Sequence, residues 1–112
     1  ARLVLNDVYM DEKVERYIVD IVFATREPEK QGLSDIRNLI AYGASPRATI
    51  YLNLAAKAHA FLNHRGFCTP EDVKTIAYDV LRHRIIPTYE AEAQDVKTED
   101  LVRQILNSVN VP

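Results

Sequence analysis

Two polar residues that stand directly before a proline constrain this fold most, because each marks the start of a helix. They are Ser45 and Thr69. The side-chain oxygen of such a residue accepts a hydrogen bond from a backbone N–H group that has no other partner in the first turn. Proline suits the position that follows, since its missing N–H would be unpaired there anyway. Apolar residues at helical spacing follow both positions. We therefore expect one helix from Ser45 to about Asn63 and another from Thr69 to about Ile86.

Two further helices are predicted at the ends of the chain. One is capped by Asp11 and runs to about Thr25, and the last is capped at Thr98. Residues 26–44 form a long irregular connection, in which residues 39–42 are either a brief strand or a helical turn. Residues 88–97 are polar and are expected to lack regular structure. The sequence thus predicts an all-α protein, a four-helix orthogonal or up-down bundle with no sheet larger than a short two-stranded piece.

Three local expectations concern the middle of the chain. The helix that begins at Ser45 is apolar around most of its circumference, which is typical of a buried central helix. Gly66 is expected to supply a left-handed backbone position in the turn that follows. His59 is interpreted as a partly buried residue with satisfied hydrogen bonds rather than as a metal ligand.

The composition excludes several classes of function. A chain of 112 residues is expected to form a single domain, residues 1–112. A net charge of −2 disfavours a nucleic-acid binder that depends on a basic face. The single Cys68 fits a reducing compartment, and no apolar run or leader pattern indicates a membrane span or secretion. We expect a cytoplasmic protein that binds neither nucleic acid nor membrane. The start at Ala1, without an initiator methionine, indicates a processed product or a fragment.

A search for self-contained chemistry leaves one arginine. No glycine-rich loop ends in Lys-Ser or Lys-Thr, and the histidines and cysteine lack metal-ligand spacing. Arg47, however, follows the predicted helix start at Ser45, where a cation opposes the helix dipole by about 0.3–1 kcal/mol. An anion such as a phosphate in front of the helix would explain this placement. The alternative is that Arg47 points sideways to a carboxylate or to solvent.

A second basic cluster admits two interpretations. Arg82, His83 and Arg84 stand at the end of the third predicted helix. Cations there suit the negative end of the helix dipole, and this structural interpretation is favoured over a binding role.

Four motifs together resemble the C-terminal lid domain of MoxR-type AAA+ ATPases. They are the runs 43–48 (Gly-Ala-Ser-Pro-Arg-Ala), 54–58 (Leu-Ala-Ala-Lys-Ala), 69–73 (Thr-Pro-Glu-Asp-Val) and 80–85 (Val-Leu-Arg-His-Arg-Ile). The resemblance extends from about Val8 to Pro112. The first run is specific when the fourth follows at this distance, whereas the third occurs in many helices. The phosphate-binding loop and magnesium-binding acid of the family's ATPase core are absent from these residues. The chain therefore resembles a fragment of a longer ATPase.

The resemblance implies a function for the first of these motifs. Arg47 matches the sensor-2 arginine, a catalytic residue that reaches a nucleotide phosphate, and Ser45 and Pro46 accompany it at the nucleotide. The cofactor would be ATP with magnesium, both held mainly by the ATPase core, so this fragment alone should neither bind ATP tightly nor hydrolyse it.

The resemblance also implies partners. The lid would act with the ATPase core of the same or a neighbouring subunit in a ring of identical subunits. Hydrolysis would be coupled to chaperone-like remodelling of protein clients, among them proteins with von Willebrand-factor-A-like domains. The alternative from another class is a stand-alone helical interaction module without nucleotide chemistry. A histone-like module is a third hypothesis, disfavoured by the acidic balance. A phosphate-binding loop encoded upstream of Ala1 would favour the lid, and a start codon immediately before Ala1 would favour the stand-alone module.

Overall fold

Helices make up most of residues 8–112, the part of the chain that the computed structural model describes. The α-helices of this part are α1 (Glu12–Arg26), α2 (Ala48–Leu62), α3 (Pro70–Leu81), α4 (Tyr89–Ala93) and α5 (Thr98–Ser108). Two short 3-10 helices, Pro28–Gln31 and Ser34–Leu39, lie in the connection between α1 and α2. The strands β1 (Ile40–Tyr42) and β2 (Ile86–Pro87) pair antiparallel, with Tyr42 opposite Ile86. The predicted all-α class, with only a small two-stranded sheet, is confirmed.

The four long helices surround one hydrophobic core. α2 packs along α3, and α1 and α5 contact this pair. α1 begins where Asp11 was predicted to cap it, since the Asp11 carboxylate accepts a hydrogen bond from the Lys13 N–H at 2.8 Å. The predicted apolar face of α1 is buried, and α2, α3 and α5 also contribute buried residues to the core. The largest fully buried apolar side chains are Tyr17, Ile18, Ile21, Ile36, Leu52, Leu81, Leu101 and Ile105.

The region after α3 differs from the sequence-based expectation. α3 ends at Leu81, about five residues before the predicted end, because the chain turns there and its next residues enter β2. Pairing of that segment with residues 38–42 provides hydrogen bonds that a longer helix would otherwise supply, including one from the Thr88 N–H to the Leu39 carbonyl at 3.0 Å. The segment predicted to lack structure contains α4.

Two predicted helix-end details are also wrong. Thr98 is the first residue of α5 rather than its cap, and the preceding Lys97 N–H donates to the Asp100 carboxylate at 2.9 Å. In the turn after α2, His64 rather than Gly66 has the left-handed backbone, with a φ of 60°. Histidine is one of the non-glycine residues that adopt this conformation at modest cost.

The expectation that α2 is buried all round is wrong as well. Only one side of this helix is buried, the side formed by Ala48, Leu52, Ala56 and Ala60. Large apolar side chains on its other side are exposed, with Ile50 at 59% and Leu62 at 74% of full exposure. Apolar composition reports how much of a helix could be buried, but only the arrangement of neighbouring helices decides how much is.

No helix among residues 8–112 combines the length and the apolar character needed to cross a membrane.

Candidate functional site

The segment that leads into α2 is attached to the end of α1 through its backbone. The Thr25 hydroxyl is buried, accepts a hydrogen bond from the Ala44 N–H at 2.9 Å and donates to the Val22 carbonyl at 2.6 Å. The Arg26 guanidinium adds a contact of 3.4 Å to the Ala44 carbonyl. These bonds fix the backbone immediately before Ser45.

Gly43 permits this attachment because it has no side chain. A Cβ atom placed on Gly43 would lie 2.3 Å from the Thr25 carbonyl oxygen and 2.9 Å from the Arg26 Cα. Both are backbone atoms, which cannot rotate out of the way as a flexible side chain could. The glycine is therefore required here by close approach and not by an unusual φ.

Ser45 was predicted to be the N-cap of this helix, but Arg47 occupies the N-cap position of α2 and no side chain caps it there, because the turn before α2 is tighter than predicted. The Ser45 hydroxyl accepts a hydrogen bond from the Arg47 N–H at 3.0 Å. The Ala48 N–H bonds the Ser45 carbonyl at 2.8 Å, and the Thr49 N–H bonds the Pro46 carbonyl at 3.1 Å. Both of these are three-residue bonds of the 3-10 type, which often tighten a helix end. Regular α-helix accordingly begins at Ala48 rather than at Ser45.

Arg47 extends from this turn into solvent. Within the described part of the chain, its guanidinium forms neither an ion pair nor a hydrogen bond with a side chain, so the carboxylate partner considered above is not present there. Three-residue bonding and the hydrogen bond to the Ser45 hydroxyl hold its backbone, while the five N–H donors of its guanidinium have no side-chain acceptor among residues 8–112. An exposed guanidinium beside the positive end of a helix is a suitable group for binding an anion. The guanidinium of Arg47 therefore fits a phosphate. Ser45 and Pro46 contribute to this site by fixing the backbone of the turn.

The basic cluster after α3 divides into two different environments. Arg82 is paired within the domain, at 3.1 Å from Glu99 and 3.6 Å from Asp79. Arg84 instead lies over the ring of Tyr51, with its guanidinium carbon 4.1 Å from the ring centroid. Tyr51 is one helical turn after Arg47 on α2, so Arg84 is brought to the face of α2 that carries Arg47. Sequence reasoning missed this contact because 33 positions separate the two residues and no local pattern connects them.

A buried carboxylate joins the other end of α2 to α3. Asp72 is fully buried and accepts two hydrogen bonds from the Arg65 guanidinium, each 2.6 Å long, and one from the Thr69 N–H at 2.7 Å. His59 Nδ1 lies 2.6 Å from Asp72 Oδ1, which confirms that this histidine is a satisfied, partly buried residue. Burial alone would raise the pKa of Asp72, but the hydrogen bonds from Arg65, His59 and Thr69 hold this pKa well below its usual range.

This cluster stabilises the α2–α3 hairpin rather than performing chemistry, because the Asp72 carboxylate has no access to solvent. The capping-box pattern that starts at Thr69 was a usable signal for Asp72, since the residue at the third helical position often reaches back to the cap. Among residues 8–112, no group of three or more histidine, cysteine or acidic side chains is placed to hold a metal ion.

Comparison with protein families agrees with this architecture. Residues 33–105 match the family described as AAA lid domain, and this match covers well over half of the chain. The chain belongs to the AAA lid domain family.

Individual relatives indicate which type of AAA+ ATPase carries a similar lid domain. Over 96 residues the chain is 41% identical to the Chaperone MoxR1 of Mycobacterium tuberculosis, a match that covers 86% of this chain and 26% of that protein. It is also 28% identical to the Protein MoxR of Methylorubrum extorquens, a match that covers 100% of this chain and 34% of that relative. The crystal structure of a putative ATPase from Cytophaga hutchinsonii superposes with a TM-score of 0.93 at 49% identity, over 96% of this chain and 33% of that one.

These likenesses identify the chain as the C-terminal lid of the MoxR type of AAA+ ATPase, as its motifs predicted. The chain spans only about a quarter to a third of the length of these relatives.

Proposed function

We propose that Arg47 is the sensor-2 arginine of a MoxR-type ATPase and binds a phosphate of the nucleotide held by the ATPase core. The observation that supports this role is the exposed guanidinium of Arg47, which has no ion-pair partner among residues 8–112, on a backbone fixed by Ser45, Gly43 and Thr25. A cation that opposes its own helix dipole gains nothing for the stability of the lid, so a ligand is the better explanation of its position. Residues 1–112 would together form this lid.

The lid would act by holding the positive charge of Arg47 at a phosphate of the nucleotide. The planar guanidinium of Arg47 can donate two parallel hydrogen bonds to phosphate oxygens, which a lysine cannot do. ATP, bound with magnesium by the ATPase core, supplies the transferable phosphoryl group and a charge that changes on hydrolysis. The Arg47 backbone is fixed to α1 and α2. A change in the force on its side chain would therefore move the whole lid as a rigid body. The lid would thereby couple hydrolysis to movement.

We further propose that this movement serves the remodelling of protein clients in a cytoplasmic ring of identical subunits. The name of the mycobacterial relative, a chaperone, supports a client-directed function. Clients with von Willebrand-factor-A-like domains remain the class that we expect from the MoxR type. A stand-alone interaction module has less support, because the chain matches only a part of each of these relatives.

The test is the turnover of ATP by the full-length protein with substitutions at Arg47. We expect Arg47→Ala to lower turnover by about 10- to 150-fold, because hydrogen bonding to a charged group is worth about 1.5–3 kcal/mol. Arg47→Lys should restore little of it, since a point charge does not reproduce the planar fork. The matched control is Arg103→Ala, which removes an exposed arginine from α5.

Thermal unfolding of the same variants separates function from folding. The Arg47→Ala lid should be as stable as the original or slightly more stable, because an unfavourable interaction with the helix dipole is removed. Unfolding of the lid by Arg47→Ala, or unchanged turnover in the full-length protein, would show that Arg47 is a structural or neutral residue.

A further inference from the structure

A cleft of about 400 Å³ with a mainly apolar lining lies beside the two-stranded sheet. We call it the sheet cleft, and its lining residues are Ala41, Ile86, Pro87, Thr88, Tyr89 and Glu92. Two of its large side chains are open to solvent, since Tyr89 is 90% exposed and Ile86 is 54% exposed. Exposed apolar groups that are gathered at a cleft are typical of a surface that binds another protein.

The backbone around the sheet cleft is held in place by contacts within the domain. The Thr88 hydroxyl donates a hydrogen bond to the Asn38 carbonyl at 2.8 Å and accepts one from the Ala91 N–H at 3.2 Å. Ala91 is fully buried, so α4 is anchored in the core. A partner that enters the cleft therefore loses little binding free energy to the ordering of this backbone.

A second cleft, of about 460 Å³, adjoins the sheet cleft and carries several carboxylates. We call it the acidic cleft. The two clefts share Pro87 and Glu92, and the acidic cleft also contains Asp95 and Glu99. Glu99 is paired with Arg82 at 3.1 Å. Glu92 and Asp95, in contrast, form no ion pair within residues 8–112.

The charge of this region indicates the chemistry of its occupant. Residues 90–100 contain five acidic side chains and one basic side chain, Lys97, whereas the whole chain has a net charge of only −2. The negative charge of the protein is therefore concentrated here. Carboxylates repel the phosphates of a nucleotide and attract lysine or arginine, with which Glu92 and Asp95 can form charge-assisted hydrogen bonds.

We propose that the two clefts together bind an extended segment of a client protein. An aromatic or large aliphatic side chain of the client occupies the sheet cleft, and a lysine or arginine of the same segment pairs with Glu92 and Asp95. The choice of a client as occupant rests on the proposed function, the remodelling of protein clients.

The geometry and the exposure of the two clefts define this segment further. Because the clefts meet at Glu92, the apolar residue and the cation lie about two to four residues apart in an extended chain that rises about 3.3 Å per residue. Exposed ion pairs are individually weak and are screened by salt, which suits a partner that binds and is released.

The test is the binding of a defined peptide to the full-length protein, followed by fluorescence anisotropy with a non-hydrolysable ATP analogue bound. The probe is the labelled peptide Gly-Ser-Phe-Gly-Arg-Lys-Arg-Ser-Gly. One control peptide has serine in place of phenylalanine, and the other has glutamine in place of the three cations. We expect saturable binding of the probe and at least about fivefold weaker binding of each control peptide.

Matched variants of the protein locate the binding site. Glu92→Gln combined with Asp95→Asn should weaken binding of the probe about fivefold, with a smaller effect at high salt. Asparagine suits residue 95, whose φ is 57°, so the fold is preserved. Glu12→Gln combined with Glu15→Gln removes the same charge from exposed positions of α1 and should leave binding unchanged. Tyr89→Ser should weaken binding of the probe but not of the peptide without phenylalanine.

Four outcomes would overturn the proposal. One is the absence of saturable binding of the probe at concentrations up to about 1 mM. Another is equal binding of the probe and either control peptide, because recognition would then not have two parts. Equal losses from the paired α4-region and α1 variants would show that only net charge acts. Altered subunit assembly of the Glu92→Gln, Asp95→Asn protein in sedimentation would assign the clefts to a neighbouring subunit.

The turnover of ATP by Arg47→Ala is an independent readout that separates this proposal from the sensor role. Specific binding of the probe together with unchanged turnover would support the clefts and reject the sensor role. Lost turnover without binding of the probe would do the reverse.

Discussion

Replacement of each of the three glycines by alanine should have three different effects on stability, and Gly43→Ala should be by far the most damaging. At Gly43 the new methyl group would lie 2.3 Å from the Thr25 carbonyl oxygen and 2.6 Å from its carbon, which is far inside van der Waals contact. The backbone must shift, and overpacking of this kind costs about 1–3 kcal/mol. The shift also weakens the bond from the Ala44 N–H to the Thr25 hydroxyl, worth about 1 kcal/mol. We therefore expect a loss of about 3 kcal/mol.

The other two glycines serve as controls for the two other consequences of an added methyl group. Gly66 has open space around its Cβ position and no positive φ, so Gly66→Ala should stabilise by about 0.5 kcal/mol through the unfolded chain. Gly32 also has open space but has a φ of 74°, so Gly32→Ala should cost about 1 kcal/mol through backbone strain. The three variants thus separate close approach, chain entropy and backbone conformation.

The assay is thermal unfolding of the 112-residue chain followed by circular dichroism. At about 4 °C per kcal/mol for a domain of this size, the midpoint should fall by about 12 °C for Gly43→Ala, fall by about 4 °C for Gly32→Ala and rise by about 2 °C for Gly66→Ala. A midpoint for Gly43→Ala within about 2 °C of that for Gly66→Ala would refute the close approach between residue 43 and the end of α1.

Three further substitutions test other contacts. Ser45→Ala should lower the free energy of unfolding by about 1 kcal/mol through loss of the hydrogen bond between its hydroxyl and the Arg47 N–H, as measured by denaturant titration, and no change would show that this bond is unimportant. Asp72→Asn should cost about 2–3 kcal/mol at neutral pH. The pKa of the Asp72 carboxyl is lower in the folded than in the unfolded protein, so the ionised carboxylate contributes its full stabilisation above the unfolded pKa, near 3.9. This stabilisation is lost as the pH falls through the folded pKa. The free energies of unfolding of the original protein and of Asp72→Asn should therefore converge in acid. Tyr17→Phe should leave stability unchanged or raise it by up to about 1 kcal/mol, since the buried Tyr17 hydroxyl has no hydrogen-bond partner among residues 8–112, and a clear loss in urea unfolding would reveal one.

Local signals in the sequence predicted the four long helices and the start of the candidate site, but not the short α4. A capping side chain and a proline act on the first turn alone, so Ser45 and Thr69 could be interpreted without knowledge of the rest of the chain. The same holds for Asp11 and for the 3-4 spacing of the buried face of α1. The position of Arg47 beside a helix start also follows from this local pattern, whereas the direction of its side chain into solvent was one of the alternatives that the sequence left open.

Contacts between distant residues were decided only by the tertiary structure. Thr25 and Gly43 meet because α1 ends where the chain returns to begin α2, and nothing in either sequence neighbourhood specifies that approach. The same reason hid the stacking of Arg84 on Tyr51. The burial of α2 was misjudged because apolar residues surround this helix, and only the packing of α1 and α3 against one side determines which of them remain exposed. Hydrophobic periodicity records a tendency to be buried, whereas burial itself depends on partners that a local pattern does not contain.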